Sequence, residues 1–122
     1  MRFPKGNLNI CAMNDCIFCK IANKEIPKEF TYEDEDIMVF PDINPIKPIH
    51  LLIMPKKHVS DFLELGDKEL LEKIKLVIQK MIKEQKLDNK GYRLGVNGGG
   101  AQLINHLHIH LIEGDPVELL DY

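Results

Sequence analysis

The sequence predicts an α+β fold with a mainly antiparallel sheet, and three observations carry that prediction. Apolar runs of strand length, bounded by Pro, Gly, Asn and Asp, recur through the chain. One segment, residues 67–86, changes period to three- and four-residue steps. Near the C-terminal end, His106, His108 and His110 alternate with Leu107, Ile109 and Leu111, the two-residue period of a strand.

Taken in order, residues 1–14 read as a flexible extension with a basic start at Arg2 and Lys5. They have neither a continuous apolar stretch nor a small-residue cleavage site, so a signal peptide is not expected. Residues 15–122 read as a single domain. Residues 16–23 suit a short helix with Asp15 placed to cap it, and Pro27 marks a turn. Residues 30–33 and 37–40 form a hairpin around the acidic turn Asp34-Glu35-Asp36. Three prolines between Pro41 and Pro48 predict an ordered, non-regular loop. Residues 50–54 are almost wholly apolar, as in a central strand. In residues 67–86, Leu70, Leu71, Ile74, Val77, Ile78, Met81 and Ile82 make one apolar stripe, so this is an amphipathic helix that covers a sheet face. Lys83 and Lys86 suit the negative end of its dipole. Residues 92–96 give a further strand, Gly98-Gly99-Gly100 a loop, and residues 104–112 the histidine strand.

At 122 residues, with 44% hydrophobic and 29% charged side chains, the chain is long enough for one sizeable core. A net charge of -3 argues against a protein held to a nucleic-acid polymer by a basic surface. A single nucleotide in a pocket needs no such surface. No apolar stretch approaches the roughly 20 residues of a membrane span, and a cytoplasmic location is the default expectation. Cys16 and Cys19 form a C-x-x-C, with Cys11 left over. An odd count without export signals does not suggest a disulfide framework. No βαβ pattern follows to favour a redox pair, which leaves metal binding or unremarkable thiols.

The histidines carry the chemistry. A strand sends all three alternating imidazoles to one face, with Leu107, Ile109 and Leu111 on the other. The two remaining histidines, His50 and His58, flank the apolar run 51–55. A neutral imidazole at His108 can attack phosphorus and split one displacement into two easier steps, provided its other nitrogen is oriented by an acceptor. Its neighbours can bind phosphate oxygens or pass protons. Residues 98–102, just before the row, are placed to cradle a phosphate with glycine backbone N–H groups. A metal competes for the same side chains: Cys16, Cys19, His58 and His106 complete a tetrahedral S₂N₂ set, a closed and therefore structural site.

The run His106-Leu107-His108-Ile109-His110-Leu111-Ile112 resembles the H-φ-H-φ-H-φ-φ signature (φ apolar) of the histidine triad superfamily of nucleotide hydrolases and transferases. The resemblance runs from Asp15 to Ile112. Cys16-Ile17-Phe18-Cys19-Lys20-Ile21, Ile26-Pro27, Phe40-Pro41-Asp42-Ile43-Asn44-Pro45 and His50-Leu51-Leu52-Ile53-Met54-Pro55-Lys56-Lys57-His58 each resemble segments of its Hint branch, in order. It implies a five-stranded antiparallel sheet with one long and one short helix, and a two-fold dimer joining two such sheets. It also implies a purine nucleoside monophosphate, or a phosphoramidate of one, in each subunit. By position, His108 would be the nucleophile at the α-phosphorus, with His110 and His50 binding phosphate and relaying protons. Asp42 would bond the ribose, and Ile43, Phe40 and Ile26 would line the base slot. Asn97 and Gln102 would meet the phosphate side, flanked by Ala101 and Leu103. Zinc-bearing bacterial-type members use the positions of Cys16, Cys19, His58 and His106.

This chain has Ala101-Gln102-Leu103 where most Hint relatives have Gly-Gln-Ser, so no hydroxyl stands at 103. The loop from Asn97 to the triad is about two residues shorter, and the chain ends Leu120-Asp121-Tyr122 without a tryptophan-proline tail. Three functions are therefore weighed: a phosphoramidate or nucleotidyl hydrolase, a nucleotide-binding module with vestigial catalysis, and a zinc protein whose whole histidine row binds metal. Diadenosine-polyphosphate hydrolysis is a related alternative to the first.

Overall fold

The computed structural model describes residues 16–114. The expected flexible extension, the Asp15 cap and the C-terminal tail lie outside them. Helix α1 spans Ile17–Ala22 and the strands follow as β1 (Tyr32–Glu33), β2 (Ile37–Pro41) and β3 (His50–Pro55). After a single 3-10 turn at Phe62–Glu64 come helix α2 (Lys68–Glu84), β4 (Tyr92–Val96) and β5 (Ile109–Glu113). The strands form one antiparallel sheet in the order β1-β2-β3-β5-β4. The α+β architecture read from the sequence is the architecture observed.

Alternation along the central strands feeds two cores, one on each sheet face. Ile37 and Val39 of β2, Leu51 and Ile53 of β3, and Leu107 and Leu111 pack against Leu70, Ile74, Val77, Met81 and Ile82 of α2. Met38, Phe40, Leu52 and Met54 point the other way and pack against Cys16, Phe18, Cys19 and Ile21 of the α1 segment. Both faces of β3 are covered, so its six residues are all buried and its run is apolar without alternation. Truncating such a core residue, Leu107→Ala for example, costs about 2–5 kcal/mol.

The two helices are capped differently. Asp67 Oδ1 accepts from the N–H groups of Glu69 and Leu70 at 3.0 and 3.1 Å, a cap worth about 1 kcal/mol. At α1 the cap is Cys16, whose sulfur accepts from Cys19 N–H at 3.3 Å, so the capping role expected of Asp15 falls to Cys16. Helix α2 stops at Glu84 with Lys86 beyond it at φ 59°, leaving only Lys83 in its last turn. No helix among the described residues is long and apolar enough to cross a membrane.

The histidine strand is shorter than expected. Pairing begins at Ile109; His106 precedes it at a bend and His108 in non-regular backbone. Leu107 N–H donates to Val59 O at 2.7 Å instead of to a neighbouring strand. The facing prediction survives this. Leu107 and Leu111 enter the α2 core while the histidines stand on the α1 side.

Candidate active site

The three histidines share a side of the sheet but not a role. His106 is fully buried beneath α1. Its Nε2 lies 2.7 Å from Pro55 O. A carbonyl only accepts, so Nε2 carries the proton and Nδ1 presents a lone pair. That lone pair faces sulfur: Cys16 Sγ is 3.4 Å away and Cys19 Sγ 3.6 Å. His58 Nδ1 is 3.2 Å from Cys19 Sγ. The four ligand atoms all lie within 4.8 Å of one another. Two ligands at zinc–sulfur and zinc–nitrogen bond lengths on a tetrahedron stand about 3.5 Å apart, so the sulfur–nitrogen distances match a zinc site. The Pro55 carbonyl supplies the outer bond that fixes a ligating histidine's tautomer. Burial pushes the His106 pKa down from 6.5 to about 4, against the Pro55 bond, which raises it. It is thus neutral at pH 7, as a ligand must be. Contrary to the expectation from three cysteines, Cys19 is disulfide-bonded. Service as a thiolate ligand requires that bond to be reduced.

His108 uses its nitrogens the other way round. Its Nδ1 lies 2.7 Å from His106 O, so Nδ1 carries the proton and Nε2 keeps its lone pair. Phe18 packs edge-on to the His108 ring, with centroids 5.2 Å apart at 78°. His110 sits on β5 with its ring centroid 5.1 Å from that of His108. Its Nδ1 is 2.8 Å from His50 Nε2. Ile46 N–H donates to His50 Nδ1 at 3.2 Å. His50 is therefore a donor at Nε2, shared between His110 Nδ1 and, at 3.2 Å, Asp42 Oδ2. The chain of donors ends at His110, whose neutral ring then carries its proton on Nε2. Burial lowers the His110 pKa, aided by His108 and His50 and opposed by Asp42. Asp42, His50 and His110 have donor atoms close enough for a cation, but a His50 Nε2 that carries hydrogen cannot coordinate one. The group is a hydrogen-bond relay, and with His108 Nδ1 turned to a carbonyl there is no row of three metal-ligating imidazoles.

A cavity of about 340 Å³ opens beside these rings. His108, His110, Asp42, Asn97, Ala101, Gln102 and Leu103 form its polar side and rim, and Ile17, Phe18, Ile21, Phe40, Ile43 and Leu52 its apolar part. Asp42 Oδ1 already accepts from Asn44 N–H at 2.9 Å, which orients the carboxylate within its proline-rich loop.

Two expectations need correction. Ile26 is not among the residues lining the cavity; it packs against the cluster that includes Phe18 and Met38. The glycine run is not an open anion cradle, because Gly99 N–H is taken by Asp61 Oδ2 at 3.0 Å and Gly98 approaches the same side chain. Gln102 lines the cavity; one of its two amide N–H groups goes to Ser60 O at 2.9 Å, and its Oε1 is buried without a hydrogen-bond partner among the described residues. Sequence reasoning also missed Phe18 and Ile21 as cavity residues. Their spacing to Ile17 within a short apolar helix was the available signal.

A histidine row that runs into the last strand of a five-stranded sheet, backed by His50 and opening on a partly apolar cavity, defines a recognisable class. Residues 15–119 match the family model described as "Scavenger mRNA decapping enzyme C-term binding". An uncharacterised HIT-like protein of Methanocaldococcus jannaschii is 46% identical over 105 residues, 82% of this chain and 81% of that one. A solved HIT family hydrolase from Clostridium thermocellum superposes with a TM-score of 0.78 at 38% identity, over 88% of this chain and 96% of that one. A solved histidine triad nucleotide-binding protein from Candida albicans gives 0.76 at 35% identity, over 84% and 76%. The chain belongs to the histidine triad family.

Proposed function

We propose that the chain is a hydrolase of purine nucleoside phosphoramidates or related nucleotidyl compounds, acting through a covalent nucleotidyl-histidine at His108. One observation carries this reading. The His106 carbonyl holds the proton of His108 on Nδ1, at 2.7 Å, leaving an unprotonated Nε2 on a ring that forms part of the cavity wall. The names of the Clostridium and Candida relatives, a hydrolase and a nucleotide-binding protein, support the reaction class and the ligand.

In this mechanism the Nε2 lone pair of His108 forms a bond to the α-phosphorus as the P–N bond to the leaving amine breaks. The departing amine takes its proton from solvent, while His110 stands beside it, donates its Nε2–H as a hydrogen bond to the phosphoryl oxygens and is steadied by His50 through Nδ1. Water then attacks phosphorus and gives its proton to solvent as the P–N bond to His108 breaks, releasing the nucleoside monophosphate and restoring His108. Zinc, held by Cys16, Cys19, His58 and His106, would be structural, tying α1 to the sheet. It takes no part in these steps.

The same reading includes a two-fold dimer. Strand β4 is an edge of the sheet with all five residues exposed, and Tyr92, Leu94 and Val96 are 42–48% accessible. An apolar edge of this kind calls for a partner. A second functional reading, nucleotide binding with weak turnover, is favoured by Leu103. It is fully exposed at the cavity rim and offers no hydroxyl.

The test is His108→Ala with an adenosine or guanosine phosphoramidate. Turnover is expected to fall by at least about 10⁴-fold with nucleotide binding retained, and light scattering on the same samples to read two chains per particle. Near-normal turnover would end the nucleophile assignment, and wild-type protein that binds nucleotide without an alkali-stable adduct or turnover would favour the weaker reading. A monomeric mass would remove the dimer.

A further inference from the structure

Lys28 was not singled out by the motifs, yet its side chain lines the cavity. Its ammonium lies 4.8 Å from the centroid of the Phe40 ring. It takes part in none of the ion pairs among the described residues, whereas Lys24, Lys56 and Lys73 are each paired with Glu33 or Asp36. Among the described residues Lys28 is also the one lysine or arginine in the cavity lining, which includes Ile17, Phe18, Ile21, Phe40 and Ile43.

On the nucleotide reading above, the histidines take the phosphate and the apolar wall takes the base. The polar edge of that base then meets the Lys28 ammonium, which donates three hydrogen bonds and accepts none. Purines differ on this edge. A 6-oxopurine offers two adjacent acceptors, O6 and N7, whereas adenine sets an amino donor beside N7. A cation against that amino group loses a partner and opposes a donor with a donor, the kind of mismatch that discriminates more sharply than lost apolar contact. The attraction to the Phe40 face keeps the ammonium at the wall without an anion to hold it.

We propose that Lys28 is a specificity-determining residue that makes the site favour 6-oxopurine nucleotides, those of guanine and hypoxanthine, over adenine nucleotides. Calorimetry of the full chain with GMP, IMP and AMP tests it. IMP separates the 6-oxo group from the 2-amino group of guanine. Wild-type protein is expected to bind GMP and IMP about tenfold more tightly than AMP, the strength of one hydrogen bond to a charged donor. Lys28→Met should bring all three within about twofold, and Lys28→Arg should keep the preference. Equal affinities in the wild type, a preference that survives Lys28→Met, or an equal loss for all three nucleotides would each overturn the assignment. Failure of the wild type to bind any of the three would instead sink the nucleotide reading on which it rests, and this inference with it.

Discussion

Two histidine clusters lie on one side of the same sheet and do opposite things. In the cluster of Cys16, Cys19, His58 and His106, the Pro55 carbonyl takes the Nε2 proton and turns Nδ1 to sulfur. Two residues on, the His106 carbonyl takes the Nδ1 proton of His108 and leaves Nε2 to the cavity. The first ring is sealed, the second half-buried. The histidines are the same residue type in the same alternation, so the difference comes from which nitrogen meets a carbonyl and whether water reaches the other one. His106 also joins the clusters, since its side chain belongs to one and its backbone oxygen orients the His108 ring of the other.

If that division is right, damage to the two clusters should separate. Cys16→Ser is expected to take bound zinc from one per chain to none in reduced protein and to cost on the order of 4 kcal/mol of stability. His108→Ala should lose turnover with metal and stability kept. Elemental analysis with denaturant melts decides, and zinc retained in Cys16→Ser would remove that cluster's metal role.

A second contrast is in pH. The folded pKa of His106 is about 4, below the ordinary value of 6.5. Above pH 6.5 both states are neutral there and the group is silent. As pH falls from 6.5 toward 4 the unfolded chain takes up a proton that the folded chain refuses. Stability should therefore drop by about 3 kcal/mol across that window, with a further contribution of the same sign from His110. Urea melts of metal-free protein at pH 7 and pH 4.5 measure it. A flat profile, or one unchanged by His106→Gln, would contradict a ring buried neutral.

The smallest effect concerns the relay. His50→Gln removes the Nε2–H that steadies His110 and should lower kcat by about 10–100-fold, with nucleotide affinity changed little. A fall in affinity with kcat intact would make His50 a binding residue and not part of the relay.

Much of this was legible in residues alone. The apolar steps of α2, the buried run of β3 and the alternation that puts Leu107 opposite its flanking histidines are local patterns with a single spatial meaning. The resemblance to histidine triad proteins marked Cys16, Cys19, His58 and His106 as one set and His50, His108 and His110 as another. Less legible were the elements whose role depends on a distant partner. The glycine run looked like a phosphate cradle until Asp61 was found holding it, and Ile26 packs against the cluster of Phe18 and Met38, which no spacing reveals.

The sequence by itself determined the element types, the two-faced sheet and the candidate chemistry, because periodicity and residue type act over a few neighbouring positions. Only the tertiary structure decided which nitrogen each histidine exposes. For His106 the proton placement follows from groups brought in from far along the chain: Pro55 lies 51 residues away, and the cysteine sulfurs 90 and 87; for His108 the acceptor is the carbonyl two residues back, and the fold supplies the cavity that the other nitrogen faces. The distances around His106 close only when the strands pair and α1 packs down on the sheet.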